Sequence, residues 1–264
     1  QTCALPILIH YFANNIAFFV SCISALVALI LTTRIQDVHD PVQAPTLKAC
    51  ITGARQQLAD RSVWLIGILA TVVILVPFAT RDTLTPVYAE QLGARAGILA
   101  LLGNIHLLFY GLAIALCSSV FYQRLGLVKT AVLGIVLQVI STFGIPFTSN
   151  IYVIYLWQAL AGFSFGMAFA AFMSLSVVNT SSDEQSTRMG LFQTIYSCGM
   201  FVGPVMMGVM MQHINLSSGY ILIAALSVVA AIATPLSARW VYARKTQTSA
   251  QLLKNGAYAA APDQ

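Results

Sequence analysis

Apolar residues run through this chain in long blocks, and the polar residues gather between them. Crossing a hydrocarbon core as a helix takes about 20 apolar residues. Seven stretches qualify, at residues 8–32, 62–88, 97–120, 130–145, 151–178, 189–212 and 219–238. The fourth is short and draws on its flanks to span. No stretch shows the apolar/polar alternation, about ten residues long, of a membrane barrel strand. The pattern therefore predicts an all-α membrane protein with seven transmembrane helices.

Composition agrees with that reading. Charged residues make up 8% of the 264 and hydrophobic ones 58%, whereas a soluble domain carries about 25% charge. Too little charge is present to cover a water-facing surface, and the expected partner is the lipid bilayer. The net charge of +5 requires no nucleic acid, because loops on the inner side of a membrane collect Lys and Arg.

Those basic residues also set the orientation. If the first span enters from outside, the inner segments hold Arg34, Lys48, Arg55, Arg61, Arg124, Lys129, Arg188, Arg239, Arg244, Lys245 and Lys254. Only Arg81 and Arg95 remain outside. The expectation is an N-terminus outside and a cytoplasmic C-terminus, in a bacterial cytoplasmic (inner) membrane. Five cysteines are present, none in a CxxC pair, so neither a disulfide framework nor a metal site is expected.

The segment 34–61 is the one real linker. Pro41 and Pro45 interrupt its start, and beyond them Leu47, Ile51 and Leu58 share a stripe suited to a short helix lying on the membrane surface; an unstructured tether is the alternative. The linker divides the chain into a lone helix, 8–33, a six-helix group, 62–240, and a tail, 241–264. One helix plus six is the remainder expected of a six-plus-six protein cut before its sixth helix.

Three passages carry a family resemblance. In SSVFYQRLGLVK, Arg124 and Gly126 occupy the Arg and Gly positions of G-x-x-x-D-R-x-G-R-[RK], with Ser119, Gln123 and Leu127 replacing Gly, Asp and Arg. In LWQALAGFSFGMAFAAFMSL, Gly162 and Gly166 form a GxxxG face that lets another helix approach closely. In STRMGLFQTIYSCGMFVGPVMMGVMM, Arg188 precedes Gly199, Gly203, Pro204 and Gly208 in a GxxxGPxxxG arrangement. There the glycines favour close packing and the proline removes a backbone donor.

These passages resemble the major facilitator superfamily of secondary transporters, and the seven spans resemble helices six to twelve of its twelve. The resemblance implies a second-half six-helix bundle preceded by the last helix of the first half, with 34–61 as the central cytoplasmic loop. It further implies alternating-access transport of a small organic molecule, with proton-coupled export or antiport as the expected mode and the missing N-terminal half as a partner. Such a fragment is expected to be inactive alone. Back-translation points the same way: CAG ACG TGT GCT CTT CCG ATC, which encodes Gln1 to Ile7, resembles the tail of a sequencing adapter, so residues 1–7 read as an artefact.

Ionisable groups at the centre of a membrane cost about 2.5–3.5 kcal/mol on insertion scales, so polar residues inside the spans are the candidates for function. Arg81 and Asp82 lie in the outer third of the second span. Either one of them faces a central cavity, or the helix has ended and both sit at the outer interface. Asn104, His106, Gln158 and Gln193 lie deeper, as cavity or coupling residues or as helix-packing groups. No P-loop, HExxH or G-x-S-x-G passage occurs, and neither enzymatic activity nor a cofactor is expected. A seven-helix receptor-like protein shares the layout. A retinal-binding version of it is disfavoured because 219–238 contains no Lys for a Schiff base.

Overall fold

A backbone crossing lipid must satisfy its own hydrogen bonds, and every element among the described residues is helical. The structure, a computed structural model, describes residues 14–34, 47–178, 180, 182–213 and 215–254. Residues 1–7 and the first part of the linker lie outside that set. Six helices among the described residues are long and apolar enough to cross a membrane. The expected first span begins outside the described residues; its described part is α1 (Asn14–Thr33).

After α1 come α2 (Leu47–Ala59) and α3 (Arg61–Ala79), the latter continued by a π-helical turn (Thr80–Leu84) and α4 (Thr85–Gln91) into one span. Next are α5 (Ala96–Leu116), a second π turn (Cys117–Phe121), α6 (Tyr122–Leu125) and α7 (Leu127–Gly144), which closes in a 3₁₀ turn (Ile145–Phe147). The chain finishes with α8 (Ile151–Val177), α9 (Ser182–His213) and α10 (Leu216–Lys254). α10 therefore runs well past residue 240, and the first part of the expected tail is helical.

Local chemistry sets the boundaries. Asp60 caps α3 by accepting from the Ser62 N–H at 2.9 Å, and Asn150 caps α8 by accepting from the Tyr152 N–H at 2.9 Å. Each satisfies a donor that the helix itself leaves open. Gly126 joins α6 to α7 at φ +76°, a left-handed conformation that a side chain disfavours. The turn expected from Arg124 and Gly126 forms there, and Arg124 is exposed.

α3 is central. It packs against α9, α10 and α8, while α8 also packs against α7 and α5. The largest core cluster joins Ile66, Val73 and Ile74 of α3 to Ile135 of α7, Phe165 and Phe172 of α8, and Phe192 of α9. Small residues permit this density. A Cβ on Gly162 would overlap the His106 carbonyl oxygen of α5, and one on Gly199 would overlap the Thr71 carbonyl oxygen of α3. Gly166 meets Tyr110 and Gly203 meets Leu75 one turn further along, whereas Gly208 faces open space. Both glycine faces are thus helix contacts, with Gly208 outside the second.

α2 forms over the second part of the linker. It docks on α9 with Gln57 buried, while Ile51 and Leu58 stay exposed.

Candidate functional site

Helix α3 approaches the site through an interruption. Pro77 supplies no N–H to the Val73 carbonyl, and Gln138 of α7 replaces it, donating from Nε2 at 3.1 Å. Beyond Pro77 the helix widens into the π turn, where the Thr85 N–H bonds to the Thr80 carbonyl five residues back. One extra residue rotates everything after it by about 100°. The turn buries Thr80, Leu84 and Thr85 and leaves Arg81 partly buried and Asp82 exposed.

Thr85 is one link in a buried hydrogen-bond chain. His106 Nδ1 lies 3.2 Å from Gln158 Oε1, Gln158 Nε2 donates to Thr85 Oγ1 at 3.0 Å, and Thr85 Oγ1 lies 3.0 Å from Tyr220 Oη. Each of the four is almost fully buried, and together they tie α5, α8, α4 and α10. Because Gln158 Oε1 can only accept, the His106 donor in this arrangement is Nδ1–H, which leaves Nε2 with a bare lone pair. That atom is buried and has no hydrogen-bond partner among the described residues.

The glycine face of α8 makes the chain possible. Gln158 lies one turn before Gly162, the residue on which the His106 backbone rests. Beside it, Phe165 stacks on Tyr110 with centroids 5.2 Å apart and on Phe169, which meets Tyr196 of α9 edge-on. Phe165 also lies against His106, with ring centroids 6.4 Å apart.

The sequence candidates separate into three groups. His106 and Gln158 meet directly. Arg81 and Asp82 pair with each other in a two-pronged contact, Nε to Oδ1 at 2.7 Å and Nη2 to Oδ2 at 2.8 Å, with Arg81 also 5.9 Å from the Phe78 ring centroid. The helix continues past both to Gln91. Asn104, two residues before His106 and about 200° round the helix, is half-buried, and Gln193 lies on the exposed face of α9. Thr85 and Tyr220 were not among the candidates. A Thr beside a π turn and a Tyr in an apolar block carry no sequence signal of their own.

A second polar cluster occupies the opposite end of the bundle. Buried Arg188 of α9 donates to the Ser176 carbonyl, to Gln57 Oε1 at 2.9 Å, to Asp60 Oδ2 at 2.8 Å and to Ser62 Oγ at 2.6 Å. One guanidinium thereby joins the end of α8, the linker helix α2 and the start of α3. Burial acts to raise the Asp60 pKa, but hydrogen bonds from Ser62 and Arg188 and the Arg188 charge outweigh it, holding the carboxyl below its ordinary value. A polar cavity of about 430 Å³ lies beside this cluster, lined by Gln56, Gln57, Asp60, Thr180, Glu184 and Arg188.

Among the described residues no group of His, Cys, Asp and Glu is placed to hold a metal ion. No curated protein matches the chain. The family model described as Major Facilitator Superfamily matches residues 78–261, more than half of the chain.

Proposed function

Since the chain belongs to the Major Facilitator Superfamily, a family of membrane transporters, we propose that it serves proton-coupled export of a small organic molecule by alternating access. Membership sets aside the receptor-like alternative. The observation that carries the proton coupling is the buried, unpartnered Nε2 of His106 at the head of the four-residue chain. A buried polar atom without a partner costs about 1–3 kcal/mol, a cost that a functional role would account for.

The chemistry is direct. A proton taken up on the Nε2 lone pair makes both ring nitrogens donors, which fixes Gln158 with its oxygen toward His106 and its amide nitrogen toward Thr85. Without that proton the imidazole can accept at Nδ1 and the amide can reverse, with Thr85 donating to Gln158. Protonation thus biases one hydrogen-bond polarity across four helices.

The remaining assignments follow from position. Gln193, Thr194, Ser197 and Cys198 are exposed along one face of α9 within a membrane span. A polar strip of this kind suits a hydrated cavity or a second protein half better than lipid. We assign it to the interface with an N-terminal half encoded upstream, with Gln193 and Asn104 as substrate-contact candidates. The export direction rests on the family resemblance as a whole, because Gly199-x-x-x-Gly203-Pro204-x-x-x-Gly208 lies in the helix that resembles the family's eleventh, where the pattern is a structural echo and says less about direction.

The test uses the complete reading frame of the source DNA, expressed in membrane vesicles with an imposed pH gradient. His106→Gln keeps a partner for Gln158 but offers no nitrogen to protonate. It should abolish gradient-driven transport while leaving substrate exchange at equal pH intact. Gradient-driven transport at the wild-type rate in His106→Gln would remove the coupling role.

A further inference from the structure

A second cavity, of about 730 Å³, opens between the start of α3 and the middle of α10, lined by Arg61, Trp64, Leu65, Ala233, Leu236 and Ser237. Its walls are apolar except for Arg61 and Ser237. Trp64 is 45% and Leu236 59% exposed. The indole N–H of Trp64 is already used, donating to the Leu58 carbonyl at 2.9 Å, so the ring offers apolar surface to the groove. One turn further into the span, Ile68 of α3 and Ile232 of α10 are exposed on the same two helices. They extend the apolar path along the direction a lipid chain would take.

The charged end has a specific chemistry. Arg61 is the first residue of α3, where the helix dipole disfavours a cation. The neighbouring acid, Asp60, is engaged by Arg188 and Ser62, so its charge is committed elsewhere. Arg239 is exposed on α10 three residues beyond Leu236, and Arg55 is exposed on α2. An apolar groove with Arg61 at one end and an aromatic ring at the boundary complements one kind of partner: acyl chains below a negatively charged headgroup.

We propose that this groove is a binding site for an anionic phospholipid, its phosphate on Arg61 and its chain along Trp64, Ile68, Ile232 and Leu236. The site does not depend on the transport reading. It also gives exposed Leu58 of α2 a role, because its carbonyl holds the Trp64 indole and its side chain would enter the headgroup region.

The test is quenching of Trp64 fluorescence in the purified full chain by phospholipids with brominated chains, the Trp64 component being taken by difference from Trp64→Phe. Brominated phosphatidylglycerol should associate about fivefold more tightly than brominated phosphatidylcholine of the same chain length, the factor expected for one basic residue near an anionic surface. Arg61→Gln should remove most of that preference and Arg61→Lys should keep it. Equal quenching by the two lipids overturns the proposal, as does a preference that survives Arg61→Gln. Absence of quenching by either lipid also overturns it and would mean that α1 or a second copy covers the groove. If Arg61→Gln fails to fold, Ala233→Phe, which fills the groove, should weaken quenching by both lipids; unchanged quenching would again count against the site.

Discussion

Gln138 Nε2 donates to the Val73 carbonyl oxygen at 3.1 Å, the oxygen that Pro77 leaves without its helical donor. A proline inside a membrane helix strands a carbonyl where no water reaches it, and here a side chain from another helix supplies the bond. Gln138→Leu should therefore destabilise the fold by about 1–3 kcal/mol. In a Pro77→Ala background the loss should be smaller, because the alanine brings back a backbone N–H at that position. Denaturant unfolding in mixed micelles measures both, and equal losses in the two backgrounds would show that the bond does not compensate for the proline.

Two glycines of one motif should behave differently. A side chain at Gly199 runs into the Thr71 backbone, while Gly208 has open space around it. Gly199→Val is expected to cost about 1–3 kcal/mol through overpacking, and Gly208→Val to stay within about 0.5 kcal/mol. Thermal unfolding of the two variants in the same detergent decides it. A Gly208 variant as damaged as the Gly199 one would contradict the packing described.

The Asp60–Arg188 contact predicts a pH dependence with a definite sign. The folded pKa of Asp60 is lowered from an ordinary value of 3.8. Its stabilising contribution is therefore fully present above the unfolded value and is lost as pH falls through the lower folded one. Hydrogen exchange of the α2 amides should accelerate in that acid window relative to α8, and Asp60→Asn should remove the difference. Arg188→Gln should release α2 at neutral pH as well, at a cost of about 2–4 kcal/mol. Slow exchange of α2 in Arg188→Gln would show that the guanidinium does not hold it.

Along the buried chain, the middle link should matter more than the end. Thr85→Val leaves both the Gln158 amide nitrogen and the Tyr220 hydroxyl without the partner seen in the structure, whereas Tyr220→Phe removes one group together with its need for a bond. The expected losses are about 1–3 kcal/mol for Thr85→Val and about 1 kcal/mol for Tyr220→Phe. The double variant should lose less than their sum, since neighbours in one network couple. Additive losses in a thermal-unfolding cycle would indicate two separate bonds rather than one chain.

Length of apolar blocks, the scarcity of charge and the position of glycines are properties of the chain itself. They were enough to place the six spans from residue 61 onward to within a few residues, and to find the helix faces at Gly162 and Gly199. His106 and Gln158 were legible for the same reason, since a polar side chain in an apolar block stands out wherever it points. What those side chains meet was not legible. The π turn that rotates Thr85 inward depends on how the helix relieves Pro77 and Pro86 against its neighbours, and a hydroxyl such as Tyr220 gains its meaning from a partner 135 residues away. The docking of α2 on α9 came from the same source. Its amphipathic stripe is set by sequence, but the face that docks was decided by Arg188, whose buried charge required Gln57, Asp60 and Ser62 around it. Periodicity fixes which residues share a helix face; only the packed bundle, where every buried polar atom must find a partner, decides which face turns inward and what it touches.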